Sequence, residues 1–392
     1  SPVRLEENKD IAFVGNYILG TGFTFDDKRA ENDECEPIAV AKELIAQDPK
    51  NQSRIKPFLG GQEVNNDPTH AHRRYVIDFE DFPLRRRSGL PAGKSTAPKE
   101  RSNLRQKVEV PEDYEGPVAE DWPELLKIVA ERVKPERMKK GRSALKERWW
   151  LFAERQPALQ TKIDQLDRVI ITSASAVTYH MFALCDSKRI YSHKTIVIAQ
   201  DNYGVFGVLM SRIHELWRTE LGSTFGSSDA LTYNASQVFD TFPLPVEVRS
   251  DFNLSQSAKA YDVARSNIMI ETDRGLTPTY NRFHDPLEND DDIETLRRLH
   301  AEMDDAVLRA YGWGDLADLC ASGAEFEPRF LTEEDEPEFA YQKRLFWPAP
   351  FRDKVLARLL ELNKKRARAE ALARKAGRKK ASQKSDQQGE LL

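Results

Sequence analysis

The stretch that decides the fold runs from Arg168 to Pro245. It opens with three apolar segments: Arg168-Val-Ile-Ile-Thr-Ser173, Thr178-Tyr-His-Met-Phe-Ala-Leu184 and Ile190-Tyr-Ser-His-Lys-Thr-Ile-Val-Ile-Ala199. Each is short, rich in β-branched or aromatic residues and bounded by polar residues, a pattern typical of strands. Apolar residues at helical spacing then predict one amphipathic helix from Tyr203 to Leu221. This order predicts an α/β (α+β) domain built on a mixed sheet.

The same stretch ends abruptly on Ser236-Gln-Val-Phe-Asp-Thr-Phe-Pro-Leu-Pro245. Pro243 and Pro245 cannot donate to a β-ladder or continue a helix, so they mark the end of the domain. The loops between its apolar segments are rich in Thr, Ser, Tyr, His, Lys and Asn. Side chains of these types reach base edges and phosphates in nucleic-acid complexes. The loops are therefore candidates for a nucleic-acid interface.

Composition places the chain among soluble globular proteins. Its 392 residues, 40% hydrophobic and 31% charged, suffice for two or three domains. No apolar run approaches the roughly 20 residues of a membrane-spanning helix, so no membrane partner is expected. Cys35, Cys185 and Cys320 are far apart and fit no metal-ligand spacing, which predicts a reduced, cytoplasmic setting. Because Ser1-Pro2 stands close before an apolar strand, we expect a piece of a longer protein.

Charge is distributed unevenly along the chain, although the net charge is only −5. Residues 85–107 hold eight basic residues against one acidic residue, and residues 134–148 hold seven against two. Acidic residues concentrate in 285–294 and 333–338. Such asymmetry is what an electrostatic footprint on DNA needs, but charge runs are also common on solvated surfaces. Both interpretations stay open on charge alone.

Six units are predicted along the chain. They are a first α/β unit (1–82), a basic linker or insertion (83–117), a helical spacer (118–167), the candidate recognition domain (168–245), a C-terminal helical domain (246–362) and a basic disordered tail (363–392). Strands are predicted over 11–25, 75–79 and 326–331, and helices over 36–47, 121–133, 143–154, 157–166, 247–271, 292–311 and from 353.

Catalytic chemistry is not evident in these residues. A DNA adenine methyltransferase needs an Asp/Asn/Ser-Pro-Pro-aromatic motif that holds the flipped base, and the sequence contains no Pro-Pro dipeptide. Gly15, Gly20 and Gly22 do not fit the dinucleotide-binding spacing. The histidines lack zinc-binding spacing, and only His70 and His72, on one turn, are an alternative metal site. We therefore expect no catalytic residue, no metal and no cofactor in this chain.

Several segments, taken in order, resemble the fused restriction–modification DNA adenine methyltransferases of types IIG and IIL. The segments are Gly20-Thr-Gly-Phe23, Asp48-Pro-Lys-Asn51, Pro57-Phe-Leu-Gly-Gly-Gln-Glu-Val-Asn65, Tyr75-Val-Ile-Asp-Phe79, Val133-Lys-Pro-Glu-Arg137, Arg148-Trp-Trp-Leu-Phe-Ala-Glu-Arg-Gln-Pro157, the 168–245 stretch, Tyr280-Asn-Arg-Phe-His-Asp-Pro286 and Ala310-Tyr-Gly-Trp313. The resemblance lies in the family's non-catalytic half, its target-recognition and spacer region.

The resemblance implies that the chain recognises duplex DNA for an N6-adenine methyltransferase of a restriction–modification or phage-defence system. Residues 1–82 would join an absent catalytic domain, which would bind S-adenosylmethionine. Two alternatives stay open: a separately encoded subunit that recruits a methyltransferase, and a degenerate structural remnant. The basic stretch 84–110 is longer than the family's usual connection, and Leu231-Thr232 stands where the family often places an arginine. No base preference is therefore carried over.

Candidate DNA-binding residues fall into two groups. Those at strand ends and loops are expected to read bases: Thr172, Ser173, Ser175, Thr178, Tyr179, His193, Lys194, Thr232, Tyr233, Asn234 and Ser236. The arginines are expected to position phosphates: Arg85, Arg86, Arg87, Arg148 and Arg155. The structural alternative is that polar loop residues are simply solvated.

Two further clusters favour structural roles. Adjacent helical residues point about 100° apart, so one of Trp149 and Trp150 is expected between the spacer helices and the other against the recognition domain. Residues 280–285 are interpreted as a turn that joins two helices, with Arg282 and Asp285 as an internal pair.

Overall fold

The computed structural model describes residues 2–90, 106–224, 231–323, 325–334, 336 and 341–389. Much of the predicted basic linker, with Lys94, Lys99, Arg101 and Arg105, lies outside the described residues. Strands are labelled in chain order: β1 Ala12–Val14, β2 Thr24–Phe25, β3 Ile55–Leu59, β4 Arg74–Ile77, β5 Arg85–Arg87, β6 Glu109–Pro111, β7 Arg168–Ser173, β8 Ala183–Asp186, β9 Ile190–Tyr191, β10 Thr195–Ile198, β11 Ser223–Thr224, β12 Leu231–Thr232, β13 Arg329–Phe330 and β14 Leu345–Phe346.

Helices are labelled in the same way: α1 Asp27–Ala30, α2 Ile38–Gln47, α3 Gly61–Asn66, α4 Pro123–Arg132, α5 Lys134–Met138, α6 Ser143–Glu147, α7 Pro157–Ile163, α8 Tyr203–Met210, α9 Arg212–Leu221, α10 Phe252–Thr272, α11 Leu276–Phe283, α12 Asp291–Ala310, α13 Gly314–Ala321 and α14 Ala349–Gly389. Helices and strands together confirm the predicted α/β class.

Two four-stranded sheets organise the chain. The first has the order β1-β10-β7-β8 and is antiparallel throughout. The second has the order β2-β4-β3-β9, and β9 joins β3 in parallel, which makes this sheet mixed. The remaining described strands form two-stranded pairs, β5 with β6, β11 with β12 and β13 with β14.

The two sheets exchange strands between the predicted units. β1 comes from the predicted first unit but pairs with β10, so Phe13 lies opposite Val197. Conversely, β9 belongs to the predicted recognition domain but pairs with β3 of the first unit, so Ile190 lies opposite Phe58. Each sheet therefore contains residues from both sides of the helical spacer, while the boundaries at 82 and 168 stay a prediction.

Two hydrophobic cores lie on either side of this exchange. Alternate residues of β3 and β9 face opposite ways, as the period of a strand requires. Phe58 and Ile190 belong to the core of the N-terminal sheet, whereas Leu59 and Tyr191 belong to the larger core of the recognition and C-terminal helices. The mixed sheet is consequently packed on both faces, which fixes its position against the first sheet.

The strand predictions were correct for Arg168–Ser173 and wrong for its two neighbours. The predicted strand 178–184 begins only at Ala183, because the residues before it turn away to the helices: His180 Nε2 bonds to the carbonyl of Leu209 at 2.5 Å. The predicted strand 190–199 is interrupted at Ser192, whose carbonyl accepts the N–H of Thr195 at 2.9 Å in a turn. Its two halves therefore lie in different sheets.

The single helix predicted from Tyr203 to Leu221 is in fact two helices. Ser211 has extended backbone angles (φ −68°, ψ 158°), which end α8. The Asp304 carboxylate then accepts the N–H of Arg212 at 2.9 Å and its Nη1 at 2.6 Å. A carboxylate from α12 thus replaces the missing helical partner, so the break is stabilised by a residue far away in sequence.

Other helix predictions require correction. The predicted helix 143–154 ends at Glu147, and both Trp149 and Trp150 lie in the N-terminal core, so neither packs as predicted against the recognition core. Residues 280–283 belong to α11 rather than to a turn. Arg282 pairs with Glu288, Asp290 and Asp292 instead of Asp285.

The predicted disordered tail is helical, since α14 continues to Gly389. Its first half packs on the N-terminal segment of the chain. Glu370 accepts the backbone N–H groups of Glu6 and Glu7 at 3.0 and 3.3 Å, and Arg366 pairs with Glu7 at 2.5 Å. The N-terminal segment therefore lies against the middle of α14.

Candidate nucleic-acid interface

A groove with a cavity volume of about 620 Å³ lies where strand ends from both sheets converge. It is lined by the segment after β1, the junction of β3 with α3, the loop after β7 and the turn between β9 and β10. The contributing residues are Tyr17, Ile18, Leu19, Gly20, Thr21, Thr24, Arg29, Phe58, Gly60, Gly61, Gln62, Asn65, Asn66, Arg74, Ser175, Ala176, Val177, Ser192, His193, Lys194 and Thr277. We call this set the recognition groove.

Close backbone approach forms the wall of the recognition groove. A Cβ on Gly61 would lie 3.0 Å from both the Lys194 carbonyl and Ser173 Oγ, so only glycine fits without displacement. A Cβ on Gly15 would lie 2.2 Å from the Ser192 carbonyl oxygen. These glycines let the first α/β unit contact the turn between β9 and β10 directly. They join sequence segments that are more than a hundred residues apart.

His193 occupies the turn at the centre of this wall. Its ring centroid lies 4.4 Å from that of Tyr17, with the planes at 63°. Among the described residues, its buried Nδ1 has no hydrogen-bond partner. Partial burial, helped by the nearby Lys194 charge, holds the pKa of His193 below its usual range. The ring is therefore mainly neutral near pH 7.

Polar and basic side chains of α3, α1 and β4 form another part of the groove lining, which we call its rim. Gln62, Asn65 and Asn66 project from α3, and their amides carry both donors and acceptors. Arg74 reaches Glu63 at 2.5 Å, and Arg29 pairs with Glu34 at 3.1 Å. Sequence reasoning missed these residues as site residues, although the Pro57–Asn65 segment was among those that carry the family resemblance.

The predicted base-reading residues before β8 separate into buried and accessible groups. Thr172 and Ser173 are buried in β7, and Thr172 Oγ1 donates to the Met181 carbonyl at 2.7 Å, so both are structural rather than available to DNA. Ser175 is exposed and lines the recognition groove. Thr178 is exposed outside it, and Tyr179 stacks on His284 at 4.9 Å. Only Ser175 joins His193 and Lys194 in the groove.

The predicted residues after β11 also differ in exposure. Tyr233 is buried, and its hydroxyl bonds to His214 Nε2 at 2.9 Å, so its predicted contact with bases is wrong. Thr232 lies in β12 opposite Ser223. Asn234 is exposed but its Oδ1 accepts the backbone N–H of Ser236 at 3.1 Å and its Oγ at 2.9 Å. These residues stand outside the recognition groove.

The three consecutive arginines Arg85–Arg87 form ion pairs with different carboxylates. Arg85 and Arg87 both contact Glu109, each at 2.7 Å, and their side chains stay about half exposed or more. Arg86 instead pairs with Asp121 at 2.7 Å and donates to the carbonyls of Tyr114 and Gly116. Arg86 is therefore a structural residue, and only its two neighbours present charge to solvent.

A second, smaller cavity of about 250 Å³ contains the predicted Arg148 and Arg155. Arg148 donates to Gln106, and Arg155 lies 3.6 Å from Asp78. Arg137 and Arg142 also line it. Arg137 is only 1% exposed, and its burial lowers its pKa to about 10, which leaves it protonated at neutral pH. We call these four arginines the arginine pocket.

Metal and membrane features are not found among the described residues. No group of three or more His, Cys, Asp or Glu side chains is arranged to hold a metal ion there. His70 is buried, and its Nδ1 bonds to the Val64 carbonyl at 2.8 Å, which does not suit the alternative metal site with His72. None of the helices in this part of the chain combines the length and the apolar character that a bilayer crossing requires.

Comparison with known proteins identifies the class of the central segment. Residues 112–246 match the family model described as the MmeI target recognition domain. The match ends within one residue of the boundary predicted at 245 and begins well before the predicted start at 168. The resemblance expected from the sequence is thus confirmed for the recognition region.

A solved structure adds a likeness of the whole fold. The type IIL restriction–modification enzyme MmeI, solved in complex with DNA, is similar with a TM-score of 0.53 at 18% sequence identity. The similarity covers 94% of this chain and 36% of that chain, so this chain spans about a third of the length of MmeI. No curated protein matches the sequence. At this identity the likeness concerns the fold.

Proposed function

We propose that this chain recognises a specific sequence in duplex DNA as the specificity portion of a restriction–modification or phage-defence system. The main support is the recognition groove, which lies at strand ends. Part of its lining, residues 175–177 and 192–194, belongs to the segment that matches a target recognition domain. Loops on a rigid scaffold are where binding residues are usually placed. The MmeI likeness, to an enzyme solved with DNA, supports double-stranded DNA as the partner.

The groove residues suit direct reading of base edges. Asn and Gln amides pair with adenine through one donor and one acceptor, whereas Lys donates to guanine acceptors and Ser to either. Gln62, Asn65 and Lys194 supply these groups, and Ser175 and His193 line the same groove. Each good bidentate pair contributes about 1–3 kcal/mol of discrimination. The rim arginines and the exposed Arg85 and Arg87 would position the phosphate backbone.

The methylation step would belong to a partner. The sequence contains no Pro-Pro dipeptide, so the motif that holds a flipped adenine is not present in these residues. We propose that a methyltransferase catalytic domain or subunit, with S-adenosylmethionine as its cofactor, methylates adenine at N6 in the bound site. The recognition groove would set the register of that partner on the duplex. A cytoplasmic location stays a prediction.

Selection from a random duplex library on the purified 392-residue chain tests the proposal, at a salt concentration of about 150 mM because electrostatic affinity depends on salt. Enrichment of a motif of several base pairs would support recognition by the chain alone. Binding without enrichment would contradict independent recognition. It would leave either a subunit that reads DNA only with its methyltransferase or a structural remnant.

A second experiment separates these two outcomes. Tagged chain is mixed with a candidate methyltransferase, and selection is repeated on the complex. A motif that appears only with the partner identifies a recruiting subunit. Weak binding that shows no preference in either case, and that persists after removal of residues 363–392, identifies a remnant.

A further inference from the structure

We propose that the arginine pocket is a preformed site for one backbone phosphate of the recognised duplex, with the buried Arg137 as its fixed cation. The inference rests on the proposed function, since it names the part of the DNA that this cavity takes. Arg148 and Arg155 are predicted phosphate contacts, whereas Arg137 is not among the residues that the sequence indicates. The structure assigns the central role to Arg137 and a lesser one to Arg155.

Arg137 carries a buried charge that is held mainly by backbone carbonyls in the described part of the chain. Its Nε donates to the Leu19 carbonyl at 3.0 Å, and its Nη2 donates to the carbonyls of Ile18 and Leu151 at 2.8 and 3.3 Å. Among the described residues, no ion pair joins Arg137 to an Asp or Glu side chain, and the carboxylate of Glu136 acts on it only through its charge, whereas buried charges are normally paired. An anion in the adjacent cavity would supply the missing partner.

Arg142 and Arg148 provide two less buried charges in the same cavity. Arg148 is partly exposed and donates to the neutral side-chain amide oxygen of Gln106. Arg142 is 63% exposed and meets Glu154 only at 3.5 Å, a contact of small energetic value at a surface. Guanidinium groups match phosphate oxygens in geometry and donate two hydrogen bonds at once. Both side chains are therefore available to close on a phosphate.

The acidic residues of the cavity do not cancel this charge. Glu80 and Asp81 line it, but Glu80 already pairs with Arg54 at 2.8 Å. Arg155 stands 3.6 Å from the buried Asp78, so its charge is largely committed to that pair. Once these two pairs are set aside, Arg137, Arg142 and Arg148 stand against Asp81 in the cavity wall, which is therefore positive, and the volume of about 250 Å³ suits a small anion.

The pocket lies next to the recognition groove. The carbonyls of Ile18 and Leu19 accept from Arg137, and the same two residues line the groove. The neighbouring Tyr17 exchanges backbone hydrogen bonds with Glu154 at 2.9 and 3.0 Å, which joins the groove wall to the pocket wall. A duplex held in the groove would therefore bring its backbone to the pocket. Contact there would fix the register without reading sequence.

Binding of DNA whose phosphates are neutralised one at a time tests the site. Each phosphate of the preferred duplex, or of a mixed-sequence duplex if selection finds no motif, is replaced by an uncharged methylphosphonate. Affinity is measured for the wild-type chain and for the double variant Arg142→Gln/Arg148→Gln. Methylphosphonate substitution at one or two adjacent positions should lower the affinity of the wild-type chain for DNA by roughly tenfold. The affinity of the double variant should stay almost unchanged, because its charged hydrogen bonds to that phosphate are already lost.

The salt dependence gives an independent reading. The magnitude of the slope of log affinity against log salt should fall by about 1 in the variant, while sequence preference is retained. Arg298→Gln, which removes one exposed charge from α12, is the matched control and should leave both the slope and the methylphosphonate profile unchanged. Identical profiles in wild type and double variant would overturn the inference.

The outcomes also separate this inference from the proposed function. An enriched motif with unchanged methylphosphonate profiles would leave recognition intact and refute the phosphate pocket. Absence of any DNA binding by the wild type would refute both. Titration of inorganic phosphate without DNA distinguishes the other source of the same chemistry: tight binding that Arg148→Gln abolishes would identify a free-anion site instead. Arg137→Lys, which keeps the charge, should weaken DNA binding without loss of the cooperative unfolding transition.

Discussion

The imidazole of His193 stands edge-on to the ring of Tyr17, with the ring centroids 4.4 Å apart. The two residues come from segments that the sequence separates by more than 170 positions. Their contact places a neutral histidine at the centre of the recognition groove, held by an aromatic side chain from the first α/β unit. Base reading by His193 would therefore depend on Tyr17, a residue that is far away in the sequence.

We expect His193→Ala to weaken the preference for the selected sequence by about tenfold or more, with a smaller change in affinity for unrelated duplexes. Competition binding with selected and scrambled duplexes measures the ratio. His72→Ala is the matched control, since His72 is also half-buried against a tyrosine but lies outside the groove. An equal loss for both duplexes would show that His193 does not read bases.

Tyr233 and Asn234 should respond differently to alanine. Tyr233 is buried with its hydroxyl on His214, so Tyr233→Ala should lower the free energy of unfolding by about 3–5 kcal/mol. Asn234→Ala removes the side-chain hydrogen bonds of an exposed turn and should lower the free energy of unfolding by less than about 1 kcal/mol. Urea denaturation measures both. Similar stabilities would mean that Tyr233 is less tightly packed than its burial indicates.

The arginine triplet should divide into one structural and two binding positions. Arg86→Ala loses the Asp121 pair and two carbonyl contacts, so we expect a decrease of about 1–3 kcal/mol in the free energy of unfolding. Arg85→Ala and Arg87→Ala should leave the free energy of unfolding almost unchanged and weaken binding to all duplexes alike. Thermal and urea denaturation, combined with binding to scrambled DNA, separate the two effects. Equal destabilisation by all three variants would contradict this division.

Acid should destabilise the fold through His70. Burial lowers its pKa from an ordinary 6.5 to about 4, so the unfolded chain binds the proton more readily. The contribution of His70 to stability is therefore complete above pH 6.5 and is lost as the pH falls toward 4, by up to about 3 kcal/mol. His70→Asn, which tolerates the positive φ of 53° at this position, should flatten the pH dependence. Urea denaturation at pH 7 and pH 5 compares the two, and parallel curves would contradict the assignment.

The sequence predicts local elements well where one pattern dominates. The β-branched run Arg168–Ser173 fits only a strand, and the structure shows a buried strand there. The apolar run 190–199 looks equally continuous, yet Ser192 and Thr195 turn it and send Ile190 to another sheet. That choice depends on β3, which lies far away along the chain. No local pattern indicates it.

The candidate site shows the same limit. Polar residues in the recognition loops were selected by residue type, and Ser175, His193 and Lys194 do line the groove. Residue type alone does not distinguish these from Thr172, whose hydroxyl is satisfied by the Met181 carbonyl. Nothing in the local sequence indicates that Gln62 and Asn65 lie on a helix beside these loops. The groove forms because close packing at Gly61 brings α3 next to the turn between β9 and β10.

The exchange of β1 and β9 between sheets makes the matched segment a poor unit of recombination. A graft of residues 112–246 into a relative would carry β9 away from β3 and separate β10 from β1. Both ladders would have to re-form across foreign junctions, with Ile190 and Val197 meeting side chains that did not evolve beside them. We expect new target sites to arise by point changes on the groove wall, because those leave the interlocked sheets untouched.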